Sequence, residues 1–145
     1  MSELQDKPLA PIETVLLVDD DTFFHVACRR LMQRSGLVKT LIAFPMAEDA
    51  LEFLAREDRP RIDVLFLDIN MPKMNGFEFL EEATARFGKD FCSMIVVMLT
   101  SSLDPGDIER ANASCAVDEF VNKPLLQAQI ESIAAKLKSD PRTIG

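Results

Sequence analysis

Two patterns of apolar residues alternate along the chain. One is short and unbroken: Val15-Leu16-Leu17-Val18, Val38 to Phe44, Ile62 to Leu67, Met94 to Leu99 and, more weakly, Glu119 to Val121. Runs of this length, rich in β-branched residues, predict strands buried on both faces. The other pattern has helical spacing. Phe24, Ala27, Cys28, Leu31 and Met32 share one face, and Gly36 follows as a stop. Ala47, Ala50, Leu51 and Leu54 repeat that spacing, as do Phe79, Leu80, Ala83 and Phe87, and Leu126, Ile130, Ile133, Ala134 and Leu137. Strands that alternate with helices need crossovers, and crossovers make a parallel sheet covered on both sides. Five such pairs predict one α/β domain with a doubly wound, five-stranded parallel sheet and five helices. The fourth helix is the weak one. It opens well, with an Asp104 cap and Pro105 in its first turn, but Ile108 and Ala111 are nearly all it has to bury. Such a helix is expected to be loosely held.

In a sheet of this kind ligands bind beyond the carboxyl ends of the strands, where the strand order reverses. The polar residues that follow each apolar run are therefore the candidates. Asp19, Asp20 and Asp21 follow the first; Asp68, Ile69 and Asn70 the third; Thr100, Ser101 and Ser102 the fourth; and Lys123 the fifth. Carboxylates crowded at one edge repel and raise one another's pKa, and a cation relieves them. Oxygen donors without imidazole or thiolate select a hard ion, and a phosphoryl group at the same site points to Mg²⁺. An aspartate beside such an ion can act as a nucleophile toward phosphorus. Lys123 offers a positive point charge and Thr100 a hydroxyl donor for phosphoryl oxygens. Taken singly, each residue has a plainer role: Asp21 can simply cap the helix that follows it, and Thr100 and Ser101 suit a turn. The weight lies in the set, with acids after strands one and three, a hydroxyl after four and a lysine after five.

Charge and cysteine usage narrow the partners. The net charge of -8 disfavours direct binding to nucleic acid or to an anionic membrane surface. Arg29, Arg30 and Arg34 form a small basic cluster that reads as the solvated face of a helix. Cys28, Cys92 and Cys115 have no paired spacing and suit a reducing cytoplasm. The start, Met-Ser-Glu-Leu-Gln-Asp-Lys, lacks the pattern of a secretory leader, and the longest apolar run, Met94 to Leu99, is too short to cross a bilayer. His25 is the single histidine, so a zinc site built on several imidazoles is excluded.

Four segments together resemble the receiver domain of bacterial two-component response regulators. They are Val-Leu-Leu-Val-Asp-Asp-Asp (15–21), Phe-Leu-Asp-Ile-Asn-Met-Pro-Lys-Met-Asn-Gly (66–76), Met-Leu-Thr-Ser (98–101) and Asn-Lys-Pro (122–124). The resemblance runs from Thr14 to about Lys138, leaving 1–13 as a short extension and 139–145 as a tail. It implies a flavodoxin-like fold with strand order 2-1-3-4-5. It also implies Asp68 as phosphoacceptor, Asp20 as a direct Mg²⁺ ligand, Asp19 as a ligand acting mostly through water, and Asn70 as a ligand through its backbone carbonyl. Thr100 and Lys123 would hold the phosphoryl oxygens, Thr100 and Phe120 would form the switch, and Lys123-Pro124 would be a cis peptide. Phe120 stands where the family often has tyrosine, so it lacks a hydroxyl to hydrogen-bond. Asn70 and Ser102 occupy the two variable positions thought to tune autodephosphorylation.

The implied function is that of a stand-alone cytoplasmic response regulator, a phosphoacceptor signalling domain rather than an enzyme acting on other substrates. It would take phosphate from a sensor histidine kinase or a histidine phosphotransfer protein. It would signal through a protein partner at the face of the fourth helix, fifth strand and fifth helix. Asp68 is expected at a solvent-facing loop end. A rival reading makes Asp19 the nucleophile and Asp21 the general acid of a small Mg²⁺-dependent phosphohydrolase similar to the haloacid dehalogenases. The chain is short for that class, shows no cap insertion, and would leave the Asp68 motif idle.

Overall fold

The computed structural model describes residues 12–139 except 89, 90, 92, 102, 103 and 115. The expectations for Cys92, Cys115, Ser102, most of the 1–13 extension and nearly all of the 139–145 tail lie outside the described residues. Five strands and five helices alternate: β1 Ile12–Val18, α1 Thr22–Ser35, β2 Val38–Phe44, α2 Ala47–Ala55, β3 Val64–Asp68, α3 Gly76–Phe87, β4 Ile95–Thr100, α4 Pro105–Ala113, β5 Glu119–Asn122 and α5 Gln127–Ser139. All four ladders are parallel and the strand order is β2-β1-β3-β4-β5, as the resemblance implied.

Side-chain alternation along the strands divides the core into two layers. Leu16, Val18, Leu65, Leu67, Val96 and Met98 face one way, against α2, α3 and Ala111 of α4. Val15, Leu17, Val64, Phe66, Val97 and Val121 face the other, against α1 and α5. The central strands β1, β3 and β4 match the expectation of burial on both faces. β2 does not: none of its residues is fully buried, and Lys39 and Thr40 are exposed. The reason is topological. β2 is an edge strand, so one side of its ladder lacks a neighbour.

Boundaries shift where polar residues interrupt the apolar runs. β1 starts at Ile12, ahead of Val15, because Thr14 pairs within the ladder to β2 and its N–H donates to the Asp63 carboxylate at 3.0 Å. β3 starts at Val64 rather than Ile62 and runs on through Asp68, which is paired with Leu99 of β4. β4 likewise continues through Thr100, paired with Asn122. Asp68 and Thr100 are thus the last residues of their strands, and their backbones are as firmly placed as the sheet itself.

Candidate functional site at the carboxyl edge of the sheet

The strand order reverses between β1 and β3, and the candidate residues gather there. The loop after β1 is tied down almost atom by atom. The Asp19 N–H donates to the Phe44 carbonyl at 3.2 Å, and the Asp21 N–H donates to Asp19 Oδ1 at 2.8 Å. His25 Nε2 lies 2.6 Å from the Asp19 carbonyl oxygen. Asp21 turns outward, and its Oδ1 accepts from the N–H groups of Phe23 and Phe24 at the start of α1. Its carboxylate is the helix cap that the plainer sequence reading allowed.

Asp19, Asp20 and Asp68 meet: one carboxylate oxygen from each lies within 4.8 Å of the others. Asp19 is fully buried and Asp68 is only 5% exposed, whereas Asp20 faces solvent. The expectation that Asp68 sits at a solvent-facing loop end is therefore corrected. It ends a paired central strand, and α3 closes over it. Gly76, the first residue of α3, explains how. A methyl group there would come within 2.5 Å of the Asp68 carbonyl oxygen, so only glycine lets the helix start this close. The Gly76 N–H donates to the Ile69 carbonyl at 2.8 Å, and an Asn75–Glu78 capping box completes the helix start.

Lys123 reaches this cluster from beyond β5. Its N–H donates to the Thr100 carbonyl at 2.8 Å, and the Lys123–Pro124 peptide that follows is cis. Its Nζ lies 2.6 Å from Asp19 Oδ2 and 3.7 Å from Asp68 Oδ1. Asp19 Oδ2 is buried and has no other partner among the described residues. One ammonium thus faces three carboxylates. Burial, and then the neighbouring charge of Asp19, push the Asp68 carboxyl up to about 7, against the opposing pull of Lys123. Burial alone would lower the Lys123 ammonium. The hydrogen bond to Asp19 and the charges of Asp68, Asp19 and Asp21 outweigh it, and the group is held above its ordinary value.

The remaining sequence candidates lie around this centre. Asn70 is exposed in the loop after β3, where its backbone pulls the Asp68 carboxyl down against the larger effect of burial. Thr100 is fully buried at the end of β4. Phe120 is half-buried on β5 and packs against the layer that contains Met98 and Ala111. Three contributors were not visible as such in the sequence. Phe24 had a place only on the apolar face of α1, yet its ring centroid lies 4.4 Å from Lys123 Nζ. Gly76 stood in a motif without a stated task, although a glycine opening a helix is a signal of close approach. His25 had no partner in sequence at all.

Residues 15–135 match the response regulator receiver domain model. The chain belongs to the response regulator receiver domain family. A solved two-component response regulator from Cytophaga hutchinsonii is 30% identical to this receiver domain. The two superpose with a TM-score of 0.80, covering 90% of this chain and 99% of that one. A response regulator receiver protein from Dyadobacter fermentans is 26% identical, with a TM-score of 0.75, covering 87% of this chain and 98% of that one. Among curated relatives, a protein-glutamate methylesterase/protein-glutamine glutaminase of Burkholderia thailandensis is 31% identical over 98% of this chain, the match covering 39% of that protein. A putative two-component response regulator of Arabidopsis thaliana is 30% identical over 82% of this chain, the match covering 20% of that protein. The chain therefore corresponds to less than half the length of these curated relatives. Among its described residues no helix is long and apolar enough to cross a membrane.

Proposed function

We propose that this receiver domain takes up a phosphoryl group on Asp68 from the phosphohistidine of a sensor histidine kinase or phosphotransfer protein. The observation that carries the reading is the Asp68 carboxylate, set beside Asp19, Asp20 and Lys123 at the reversal of strand order. In the transfer an Asp68 oxygen forms a bond to phosphorus while the phosphorus–nitrogen bond of the donor breaks, and the electron pair returns to the imidazole nitrogen. Such transfers depend mostly on position and on neutralised charge. Lys123 lies within reach of the new phosphoryl oxygens, and the Thr100 hydroxyl, on the neighbouring strand, is the second donor.

The donor set fits Mg²⁺: three converging carboxylates with no nitrogen or sulfur ligand among them. Asp19, Asp20, Asp68 and the Asn70 carbonyl would hold it. Bound there, the ion supplies the positive charge that keeps Asp68 ionised and offsets the incoming phosphoryl oxygens. Lys123 would then move its hydrogen bond from Asp19 to the phosphoryl group. Output would pass through a protein partner at the face of α4, β5 and α5, in the cytoplasm where such donors work. The net charge of -8 speaks against direct contact with nucleic acid. The hydrolase reading loses its general acid, because the Asp21 carboxylate is occupied as the α1 cap.

The test is mass spectrometry after incubation with Mg²⁺ and acetyl phosphate. Wild type should gain one phosphoryl group at Asp68, and Asp68→Ala should gain none. Transfer at an undiminished rate in Asp68→Ala would overturn the assignment.

A further inference from the structure

Lys123 has a neighbour besides the two aspartates, the ring of Phe24 at 4.4 Å. Phe24 is one of three buried residues of α1, with Cys28 and Met32, and it packs in the layer shared with α5. As a core residue it needs only apolar bulk, which leucine or methionine would also supply. Its position asks for more. The Lys123 ammonium is largely withdrawn from water, with 14% of the side chain exposed, and its one short contact is to Asp19 Oδ2 at 2.6 Å. Asp19 also belongs to the carboxylate cluster suited to a cation. A cation drawing on Asp19 weakens that ion pair before any phosphoryl oxygen has arrived. At that stage the ammonium keeps one neighbour that does not compete for it, the negative face of the Phe24 ring.

We propose that Phe24 is a positioning residue for Lys123, its ring holding the ammonium over the acidic site while Asp19 is engaged by the cation. The inference rests on the receiver reading above. It assigns to α1 a share in the transfer step through the buried ring of its first turn, distinct from the Asp21 cap and from the acids themselves. It predicts that the electron density of the ring matters as well as its volume.

Two measurements on the full chain test this. In the first, Phe24 is replaced by phenylalanines carrying one, two and three fluorines, which drain the ring face stepwise at nearly constant shape, and by Phe24→Leu. With Mg²⁺ and acetyl phosphate, the rate of Asp68 phosphorylation should fall stepwise along the series, by about three- to thirtyfold in total, and Phe24→Leu should match the slowest member. An unchanged rate across the fluorinated series overturns the proposal even if Phe24→Leu is slow or fails to fold, because bulk alone would then be at work. The second is the ring-current shift of the Lys123 ε-methylene protons by NMR. It should lie upfield in wild type and stay there on addition of Mg²⁺. Its collapse with Mg²⁺ also overturns the proposal. Should wild type take up no phosphoryl group, the receiver reading fails instead, and the ring-current shift still decides whether Phe24 holds the lysine.

Discussion

Asp68 is nearly shut off from water, with Asp19 beside it and Lys123 closer to Asp19 than to itself. Its carboxyl is pushed from 3.8 up to about 7, by burial first and then by Asp19. A folded-state pKa above the unfolded one means that the group's stabilising share is fully present below the unfolded value and is lost as pH rises through the folded value. With chelator present, wild type should therefore weaken between about pH 4 and pH 7, as Asp68 is forced to ionise in place. Asp68→Asn keeps the shape without the charge. Urea melts in chelator should show the two proteins nearly equal at pH 4, with the variant ahead by about 1 kcal/mol or more at pH 8. A wild type that is the more stable at pH 8 would mean that the three acids do not strain one another. Gly76 meets a steric constraint at the same place. Gly76→Ala would drive a methyl group to 2.5 Å from the Asp68 carbonyl oxygen, a backbone atom that cannot rotate away. The helix start must shift, at about 1–3 kcal/mol, although alanine is the better helix former. Thermal melts would read the loss, and a variant at or above wild-type stability would show that α3 can retreat freely.

Among the elements, α4 differs from the other helices. It starts firmly, with the Asp104 cap and Pro105 in its first turn, yet only Ala111 of its nine residues is buried. At the surface the Arg110 guanidinium lies 4.3 Å from the centre of the Phe77 ring. Phe77 directly follows Gly76, so α4 leans on the part of α3 that touches Asp68. A helix held by so little opens at low free energy and is a natural two-state element. If a phosphoryl group on Asp68 draws the Thr100 hydroxyl inward, Phe120 on the adjacent strand can follow and repack against Ala111. The outcome is a population shift of α4 and β5. Hydrogen exchange with beryllofluoride as phosphoryl mimic should change the protection of Asp107 to Ala113 and of Phe120. A change confined to α1 and α2 would rule out this route.

At the scale of the molecule, folding itself builds the acidic cluster, because residues 19, 20 and 68 are brought together by the β1–β3 pairing. An ion that binds the folded site and hardly the unfolded chain stabilises by mass action, so Mg²⁺ at a hundred times its Kd should add about 2.7 kcal/mol to unfolding. Asp68→Asn, short of one ligand charge, should gain less at the same concentration. A urea midpoint unmoved by Mg²⁺ in either protein would count against a shared site. The sequence by itself determined the elements, because the periodicity of apolar residues is a local property of the chain. It also determined which side chains stand after each strand, and hence that acids, a hydroxyl and a lysine share one edge. Family resemblance supplied the strand order, which no local pattern encodes. Tertiary structure alone decided the rest. Sheet position left β2 partly exposed and carried Asp68 inside the last rung of β3, so that an expected surface acid became a buried one. Close approach of α3 turned Gly76 into a steric requirement. Packing of α1 against the loop after β5 brought Phe24 to Lys123, and the turn from β1 into α1 brought His25 to the Asp19 carbonyl. Those contacts join residues far apart in the chain or facing across a turn, and their distances follow from how helices settle on a twisted sheet, not from spacing along the sequence.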